Sequence, residues 1–64
     1  PKSEGVAGGR FKYLRYIEQN PVYEELYDLQ NDPKEKENLA VKDGYADKLS
    51  EMRQRCDELV KQSI

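Results

Sequence analysis

The stretch that decides the fold is Glu24–Ala40, which reads EELYDLQNDPKEKENLA. Tyr23–Leu29 is predicted to be a β-strand, in which Leu26 and Tyr27 point to opposite faces. The segment 32–35 (DPKE) follows it closely and has the composition of a helix start. The stretch therefore predicts a strand that leads into a helical turn.

The segment after the strand has the form of a capping box. Asp32 is the predicted N-cap, and Pro33 stands at the first helical position, where its missing N–H costs nothing. Glu35 is placed to reach back to the N-cap. We therefore predict a short helical turn over Pro33–Asn38, after which Leu39 enters the core.

A strand is also predicted upstream, over Phe11–Ile17, where aromatic and branched residues dominate. Asn20 and Pro21 mark a turn, because proline biases the preceding residue away from helix. The short connection to Tyr23–Leu29 favours an antiparallel hairpin. One face of the upstream strand carries Phe11, Tyr13, Arg15 and Ile17, and the other carries Lys12, Leu14 and Tyr16. We expect both faces to be covered in the complete protein.

The first nine residues, Pro1–Gly9, are rich in glycine and small or charged residues, and we interpret them as a flexible connection. Residues 10–64 are expected to form one domain. Its predicted fold class is α+β: a small antiparallel hairpin or sheet, then the helical turn and one long C-terminal amphipathic helix. Because a two-stranded hairpin is marginal alone, it must pack on this helix or pair with other strands.

A long amphipathic helix is predicted over Gly44–Gln62, because apolar positions recur there at steps of three and four residues. These positions and the small residue that ends the stripe are Tyr45, Leu49, Met52, Cys56, Leu59 and Ser63. Asp43 is the predicted N-cap, and Asp47 lies in the first turn. Two oppositely charged pairs lie four residues apart, Glu51/Arg55 and Asp57/Lys61. Each contributes only about 0.2–0.5 kcal/mol, so apolar packing must stabilise the helix.

The apolar positions of consecutive elements define one predicted core. It comprises Leu26, Leu29, Leu39, Leu49, Met52, Cys56 and Leu59. Cys56 is the only cysteine and is expected to be a buried thiol that packs as a small hydrophobe. The alternative is a reactive or pairing thiol, whose pKa the nearby arginines would lower while Asp57 and Glu58 oppose them.

The ordered motifs resemble the C-terminal signature of the sulfatase family. In that family a Glu-Leu-Tyr-Asp-Leu strand precedes Asp-Pro-x-Glu and then Asn-Leu, as residues 25–29, 32–35 and 38–39 do here. Arg10–Tyr16 is similar to the family's preceding Lys-Tyr-Ile strand. The resemblance continues downstream through Tyr45-Ala46, Leu49 and Arg53-Gln54-Arg55, and it covers roughly Arg10 to Leu59.

The catalytic motif of that family is missing from this chain. Sulfatases make their nucleophile from a cysteine or serine in a Cys/Ser-x-Pro/Ala-x-Arg motif, which is oxidised to formylglycine. The one cysteine begins Cys56-Asp57-Glu58-Leu59-Val60, which does not match, and the chain contains no histidine. The family's metal ligands and sulfate-binding residues belong to a longer N-terminal domain. We therefore expect no enzyme activity from this chain alone, and no catalytic, cofactor-binding or metal-binding residues within it.

The resemblance implies that the chain is the C-terminal structural subdomain of a sulfatase. The partner would be the parent's catalytic domain, which would hydrolyse sulfate esters with formylglycine and a divalent cation, usually calcium. Separated from that partner, the chain would expose strand faces and edges. We expect it to self-associate in isolation, for example as a homo-dimer.

Another interpretation is an independent module that presents Arg10–Ile17 to a peptide or nucleic acid. Basic and aromatic residues alternate there, as they do on surfaces that stack bases. The glycine of an RNP1-like pattern is missing, and the acidic Glu24 and Glu25 lie on the partner strand. A third interpretation, catalysis by tyrosines and carboxylates of this chain, is disfavoured because they occupy predicted core faces and cap positions.

A cluster of oxygen-bearing side chains suggests a calcium site as a further alternative. The cluster comprises Asp28, Asn31, Asp32 and Asn38. An EF-hand-like loop needs ligands at alternating positions, a central glycine and a closing glutamate. That spacing is absent, so we interpret these residues as turn and cap residues.

Charge and hydropathy disfavour two classes of partner. The 64 residues include 11 basic and 13 acidic side chains without long single-sign blocks, whereas nucleic-acid binding needs clustered positive charge. No run of about 18 apolar residues is present, so no membrane span is predicted, and no leader peptide is visible. A mean hydropathy of −1.08 and an apolar fraction of 36% predict a small core and a marginal stability.

Overall fold

The structure, a computed structural model, describes residues 3–62. Three strands come first: β1 (Ser3–Gly8), β2 (Phe11–Tyr16) and β3 (Tyr23–Asp28). Two 3₁₀ helices, Leu39–Val41 and Asp43–Tyr45, lead to the α-helix α1 (Ala46–Gln62). The predicted α+β class is therefore confirmed.

The strands form an antiparallel sheet in the order β1-β2-β3. The predicted hairpin is β2-β3, with Tyr13 opposite Leu26. Both strands end one residue earlier than predicted. The hydrogen bonding nevertheless continues past the end of β3 and before the start of β2, because the N–H of Leu29 donates to the carbonyl of Arg10 at 2.7 Å. The predicted turn between the strands is confirmed and contains a cis peptide bond before Pro21.

The prediction of a flexible connection at the start of the chain is wrong for its described part, because Ser3–Gly8 pairs with β2 along its whole length. One glycine there has a packing reason: a Cβ on Gly5 would lie 2.6 Å from Cδ2 of Leu14 and 2.8 Å from the carbonyl oxygen of Tyr13. Gly9, with φ of 59°, makes the tight turn to β2. The first two residues lie outside the described part, and the position of the domain boundary stays a prediction.

The predicted helical turn over Pro33–Asn38 is wrong, since this segment forms turns without a helix. Asp32 does cap backbone groups, but its carboxylate accepts from N–H groups four and five residues later, at 3.0 and 2.9 Å. Glu35 has φ of 55°, a left-handed conformation that interrupts a right-handed helix. Its carboxylate binds Nζ of Lys12 at 3.0 Å instead of reaching back to the cap.

The helix α1 has 17 residues and begins two residues later than predicted, because Asp43–Tyr45 forms a 3₁₀ turn instead. Asp43 is therefore not the N-cap; Lys42 precedes the 3₁₀ turn and provides no side-chain cap. Asp47 lies in the first turn of α1, as predicted. No helix within residues 3–62 combines the length and apolar character that crossing a membrane requires.

The side-chain pairs on α1 follow the prediction in part. Glu51 and Arg55 form the expected ion pair at 3.1 Å. The carboxylate of Asp57 pairs with Arg15 on β2, at 2.8 Å, instead of with a residue of its own helix. Ser63, the last member of the predicted apolar stripe, lies outside the described residues.

The core lies between α1, the first 3₁₀ helix and one face of the sheet. Its buried residues are Tyr13, Leu26, Leu39, Leu49, Met52 and Cys56. Tyr13 belongs to the core although it is not in the predicted set. The predictions that Leu29 and Leu59 belong to the core are wrong. Leu29 follows the end of β3 and is only half-buried, and Leu59 is 45% exposed. Val60, one helical turn after Cys56, packs against the core in place of Leu59.

Candidate functional site

Asn38, from the Asn-Leu motif, closes the outer edge of β3. Its Oδ1 accepts from the N–H groups of Leu26 and Ala40, both at 3.0 Å. Its Nδ2 donates to the carbonyl of Glu24 at 3.1 Å. On β3 these are backbone groups that a further strand would otherwise bind. One side chain thus replaces a neighbouring strand and also caps the first 3₁₀ helix, which places Leu39 in the core.

Asp28 fixes the end of β3 to the start of β2. Arg10 donates to both its oxygens, from Nε at 2.8 Å and from Nη2 at 2.7 Å. The N–H of Gln30 (3.1 Å) and Nδ2 of Asn31 (3.0 Å) donate to the same carboxylate. Asp28 is only 3% exposed, and the guanidinium beside it holds its pKa well below the ordinary range. This pairing stabilises the turn that follows the Glu-Leu-Tyr-Asp-Leu strand.

Glu24 connects β3 to α1. Arg53 donates to its two oxygens at 2.7 and 2.6 Å, and the hydroxyl of Tyr13 donates to it at 2.6 Å. The bonds from Arg53 lower the pKa of Glu24. Burial, together with the bond to Glu24, raises the pKa of Tyr13 to about 12. The buried tyrosine is therefore neutral, and its hydroxyl is satisfied at the end of the core.

Arg15 makes a second connection between the sheet and α1. Its Nε donates to Glu4 on β1 at 2.9 Å, and its Nη1 donates to Asp57 on α1 at 2.8 Å. Burial opposes its charge, but the hydrogen bonds to Asp57 and Glu4 prevail and raise its pKa. Charged residues on this sheet face thus hold α1 in register over the apolar core.

The basic residues on and next to β2 do not form a surface of unpaired charges that could bind nucleic acid. Arg10 and Arg15 pair with carboxylates as described, and Lys12 pairs with Glu35 at 3.0 Å. Phe11 and Tyr13 lie on the core side of the sheet. The alternating basic and aromatic pattern is therefore used within the chain.

The oxygen-rich cluster considered as a calcium site has other partners. Asp28 binds Arg10, and Asp32 accepts from backbone amides that lower its pKa. Oδ1 of Asn38 accepts from two amides. Within residues 3–62, no group of three or more His, Cys, Asp or Glu side chains converges in a way that could hold a metal ion. The cluster acts as turn and edge caps.

The thiol of Cys56 is buried, as the sequence predicts, with 1% of its surface exposed. Burial raises its pKa. A protonated, enclosed thiol is a poor nucleophile. Its position supports a packing role in the core beside Tyr13 and Met52.

The sheet face turned away from α1 carries a surface that we call the open face. Its large side chains are Leu14, Tyr16, Tyr23 and Tyr27, which alternate along β2 and β3 with the core residues. The rings of Tyr16 and Tyr23 lie 5.7 Å apart, and Tyr23 is 45% exposed. Burial and a hydrogen bond to Glu25 raise the pKa of Tyr27 to about 12. This face is the candidate interaction surface.

A groove of about 340 Å³ lies along β1 and the adjoining part of β2. It is lined by Gly5, Val6, Ala7, Lys12, Tyr13 and Leu14. Because Gly5 has no side chain, Leu14 lies directly against the backbone of β1 on this side of the groove. The groove adjoins the open face at the edge of the sheet.

Two features of this arrangement escaped the sequence analysis. Tyr13 lies on a predicted strand face but is not part of the predicted core, although it lies opposite Leu26 in the hairpin register. The bond between Glu24 and Arg53 joins residues 29 positions apart, and no local pattern indicates such a pair. The face alternation of the hairpin would have found the first feature.

Comparison with known proteins gives the family. The family described as N-sulphoglucosamine sulphohydrolase, C-terminal, matches residues 1–62. A Delta 4,5-hexuronate-2-O-sulfatase of Bacteroides thetaiotaomicron is 43% identical over 58 residues, which are 91% of this chain and 12% of the relative. No solved structure matches the chain.

The resemblance inferred from the ordered motifs is therefore confirmed. The matched region is a small part of the relative, and the family description places it in a C-terminal region. The strand, turn and Asn-Leu motif that carry the resemblance are the segments held by Asp28 and Asn38. The chain belongs to the N-sulphoglucosamine sulphohydrolase C-terminal family and is a sulfatase C-terminal subdomain.

Proposed function

We propose that the chain is the structural part of an enzyme that hydrolyses sulfate esters, and that it supports this activity by packing its open face against the catalytic domain. The catalytic domain would carry the formylglycine and the calcium ion. The residues of this chain do not suit either group: Cys56 is enclosed and lies outside the required motif, and the described carboxylates do not converge. The contribution of the chain is therefore to position and stabilise its partner.

The open face is the observation that carries this proposal. One helix covers one side of the sheet, while Leu14, Tyr16 and Tyr23 lie on the other side. Burying a large apolar side chain contributes about 1.5–3 kcal/mol, so a surface of several such residues favours a packed partner. The ion pairs of Arg15 and Arg53 lie on the other face of the sheet, and the charge of Lys12 on the open face is paired with Glu35. The large side chains of the open face therefore suit a predominantly apolar contact.

The proposal is tested in the complete parent protein with Tyr16→Asp and a control, Val41→Asp. A carboxylate at Tyr16 would be buried at the proposed contact, whereas Val41 is 82% exposed and belongs to the first 3₁₀ helix, not to the open face. We expect Tyr16→Asp to lower the melting temperature and the hydrolysis of an aryl sulfate, and Val41→Asp to change neither. Circular dichroism of the isolated variant chain shows whether the subdomain itself still folds. Unchanged melting and activity of the Tyr16→Asp parent would contradict the proposal.

The isolated chain should not turn over an aryl sulfate, with or without calcium, because it lacks the nucleophile motif. The measurement is release of the phenol after purification over two independent columns. Turnover that stays with the chain through both columns would overturn this expectation.

A further inference from the structure

The carboxylates on the described strands differ in their partners. Three of the four lie on the core face, and each pairs with an arginine at 2.6–2.9 Å: Glu4 with Arg15, Glu24 with Arg53 and Asp28 with Arg10. The fourth is Glu25, which lies on the open face, opposite Leu14 in the ladder. No basic side chain within residues 3–62 forms an ion pair with Glu25.

Glu25 lies among aromatic side chains. It is half-buried, and Tyr23 and Tyr27 lie two residues before and after it on the same face of β3. The hydroxyl of Tyr27 donates to its Oε1 at 3.0 Å. Lys12 is the basic residue that the described strands place on this face, but its Nζ binds Glu35 at 3.0 Å. These strands therefore leave one uncompensated negative charge on the open face.

A partner that covers the open face would remove water from the carboxylate of Glu25. Burying an ionised group is costly unless an opposite charge and hydrogen bonds replace the water. An anionic occupant, such as a sulfate ester, would be repelled by this carboxylate. Charge complementarity therefore favours a covering surface that carries a cation at this position.

Given the proposed function, on which this inference rests, we propose that Glu25 binds an arginine of the catalytic domain. The pair adds one specific polar contact to a predominantly apolar surface. It also fixes the orientation of the two parts, because a partner shifted along the sheet would leave both charges buried and unpaired.

The surroundings of Glu25 suit a guanidinium better than an ammonium. Oε2 of Glu25 accepts no hydrogen bond from residues 3–62, and the hydroxyl oxygen of Tyr27 can accept one while it donates to Oε1. A planar guanidinium can donate to both oxygens at once, and the neighbouring tyrosine rings offer it aromatic surface. An ammonium is more strongly hydrated, so it loses more on transfer to such a site.

The inference is tested in the complete parent protein with Glu25→Gln and a matched control, Glu58→Gln. Glutamine at position 25 can still accept from Tyr27 but carries no charge, whereas Glu58 is exposed on α1, on the other side of the sheet. We expect Glu25→Gln to lower the melting temperature by about 2 °C or more, because the arginine stays buried without its partner. The control should leave the melting temperature unchanged.

Labelling of arginines with phenylglyoxal, mapped by mass spectrometry, identifies the partner. We expect one arginine outside residues 1–64 to be protected in the unmodified parent and to be labelled several-fold faster in Glu25→Gln, but not in Glu58→Gln. New labelling only within residues 1–64 would indicate a second copy of this chain and would contradict the proposal. A lower melting temperature without a newly labelled arginine would mean that another cation binds Glu25, which also contradicts it.

The same measurements separate this inference from the proposed function. If Glu25→Gln changed neither melting nor labelling while Tyr16→Asp lowered the melting temperature, the open face would be packed without an arginine, and the inference alone would be overturned. If neither variant had an effect, the proposed packing would be overturned as well.

Discussion

Both faces of the sheet carry large aromatic and aliphatic side chains, but the surroundings of the two faces differ. On the core face Tyr13 and Leu26 have no exposed surface, because α1 and the first 3₁₀ helix cover them. On the open face Tyr23 remains 45% exposed. The comparison indicates that the two faces have different roles: one face stabilises the subdomain, and the other is available for a partner.

Polar groups sharpen this difference. On the core face Glu24 and Arg15 bind side chains of α1, so charge also fixes the position of the helix. On the open face the hydroxyl of Tyr27 donates to Glu25, a neighbour on the same strand and the same face. Tyrosine hydroxyls keep such a surface hydrated until a partner covers it.

The largest expected effect comes from a matched pair of leucines on α1, both of which the sequence places in the core. Leu49 is 7% exposed and Leu59 is 45% exposed. Leu49→Ala should lower the free energy of unfolding by about 2–4 kcal/mol, and Leu59→Ala by less than about 1 kcal/mol. Urea unfolding of both variants checks this. Equal losses would mean that the core extends to the end of the helix.

Asn38→Ala is the next test, because it removes the side chain that closes the edge of β3. The free energy of unfolding should fall by about 1–3 kcal/mol, since the amide of Leu26 loses its partner. The open edge should also promote association of the isolated chain. Asn38→Asp keeps the acceptor for the amides of Leu26 and Ala40 but loses the donor to the carbonyl of Glu24, so it separates the two contributions. If the alanine variant and the unmodified chain had the same free energy of unfolding and the same sedimentation behaviour, the edge cap would be unimportant.

A smaller effect is expected from acid. The pKa values of Glu24 and Asp28 are lowered in the folded chain, by Arg53 and Arg10 respectively. In the unfolded chain these carboxyl groups take up protons at about pH 4. Their contribution to the free energy of unfolding is therefore complete above that pH, and it is lost as the pH falls through their lower pKa values in the folded chain. Urea unfolding from about pH 6 to about pH 2 should show this loss, and Asp28→Asn should flatten it. If the free energy of unfolding fell equally with pH in the unmodified chain and in Asp28→Asn, the role of Asp28 would be contradicted.

Local patterns were sufficient for part of this fold. The hairpin and α1 could be predicted because alternation and helical spacing are properties of neighbouring residues. β1 was missed because its pairing is not local and its small residues suggest a flexible connection. The fit of Gly5 beneath Leu14 appears only once the strands are paired. The segment after Asp32 was mistaken for a helical turn because an aspartate caps backbone amides in both conformations.

The candidate surface was partly accessible to sequence analysis. Large side chains on both strand faces indicate that one helix cannot cover them all. The edge role of Asn38 was not accessible, since its partners Leu26 and Glu24 lie 12 and 14 residues away. Choosing between Leu59 and Val60 as a core residue also depends on where α1 crosses the sheet.

The most direct test of the division between the two faces is tyrosine nitration, mapped by mass spectrometry, in the isolated chain and in the complete parent protein. Tyr13 is the internal control, because it is buried in the subdomain itself. We expect Tyr16 and Tyr23 to be nitrated in the isolated chain and protected in the parent, while Tyr13 is unmodified in both. Equal nitration of Tyr16 and Tyr23 in the two proteins would contradict it.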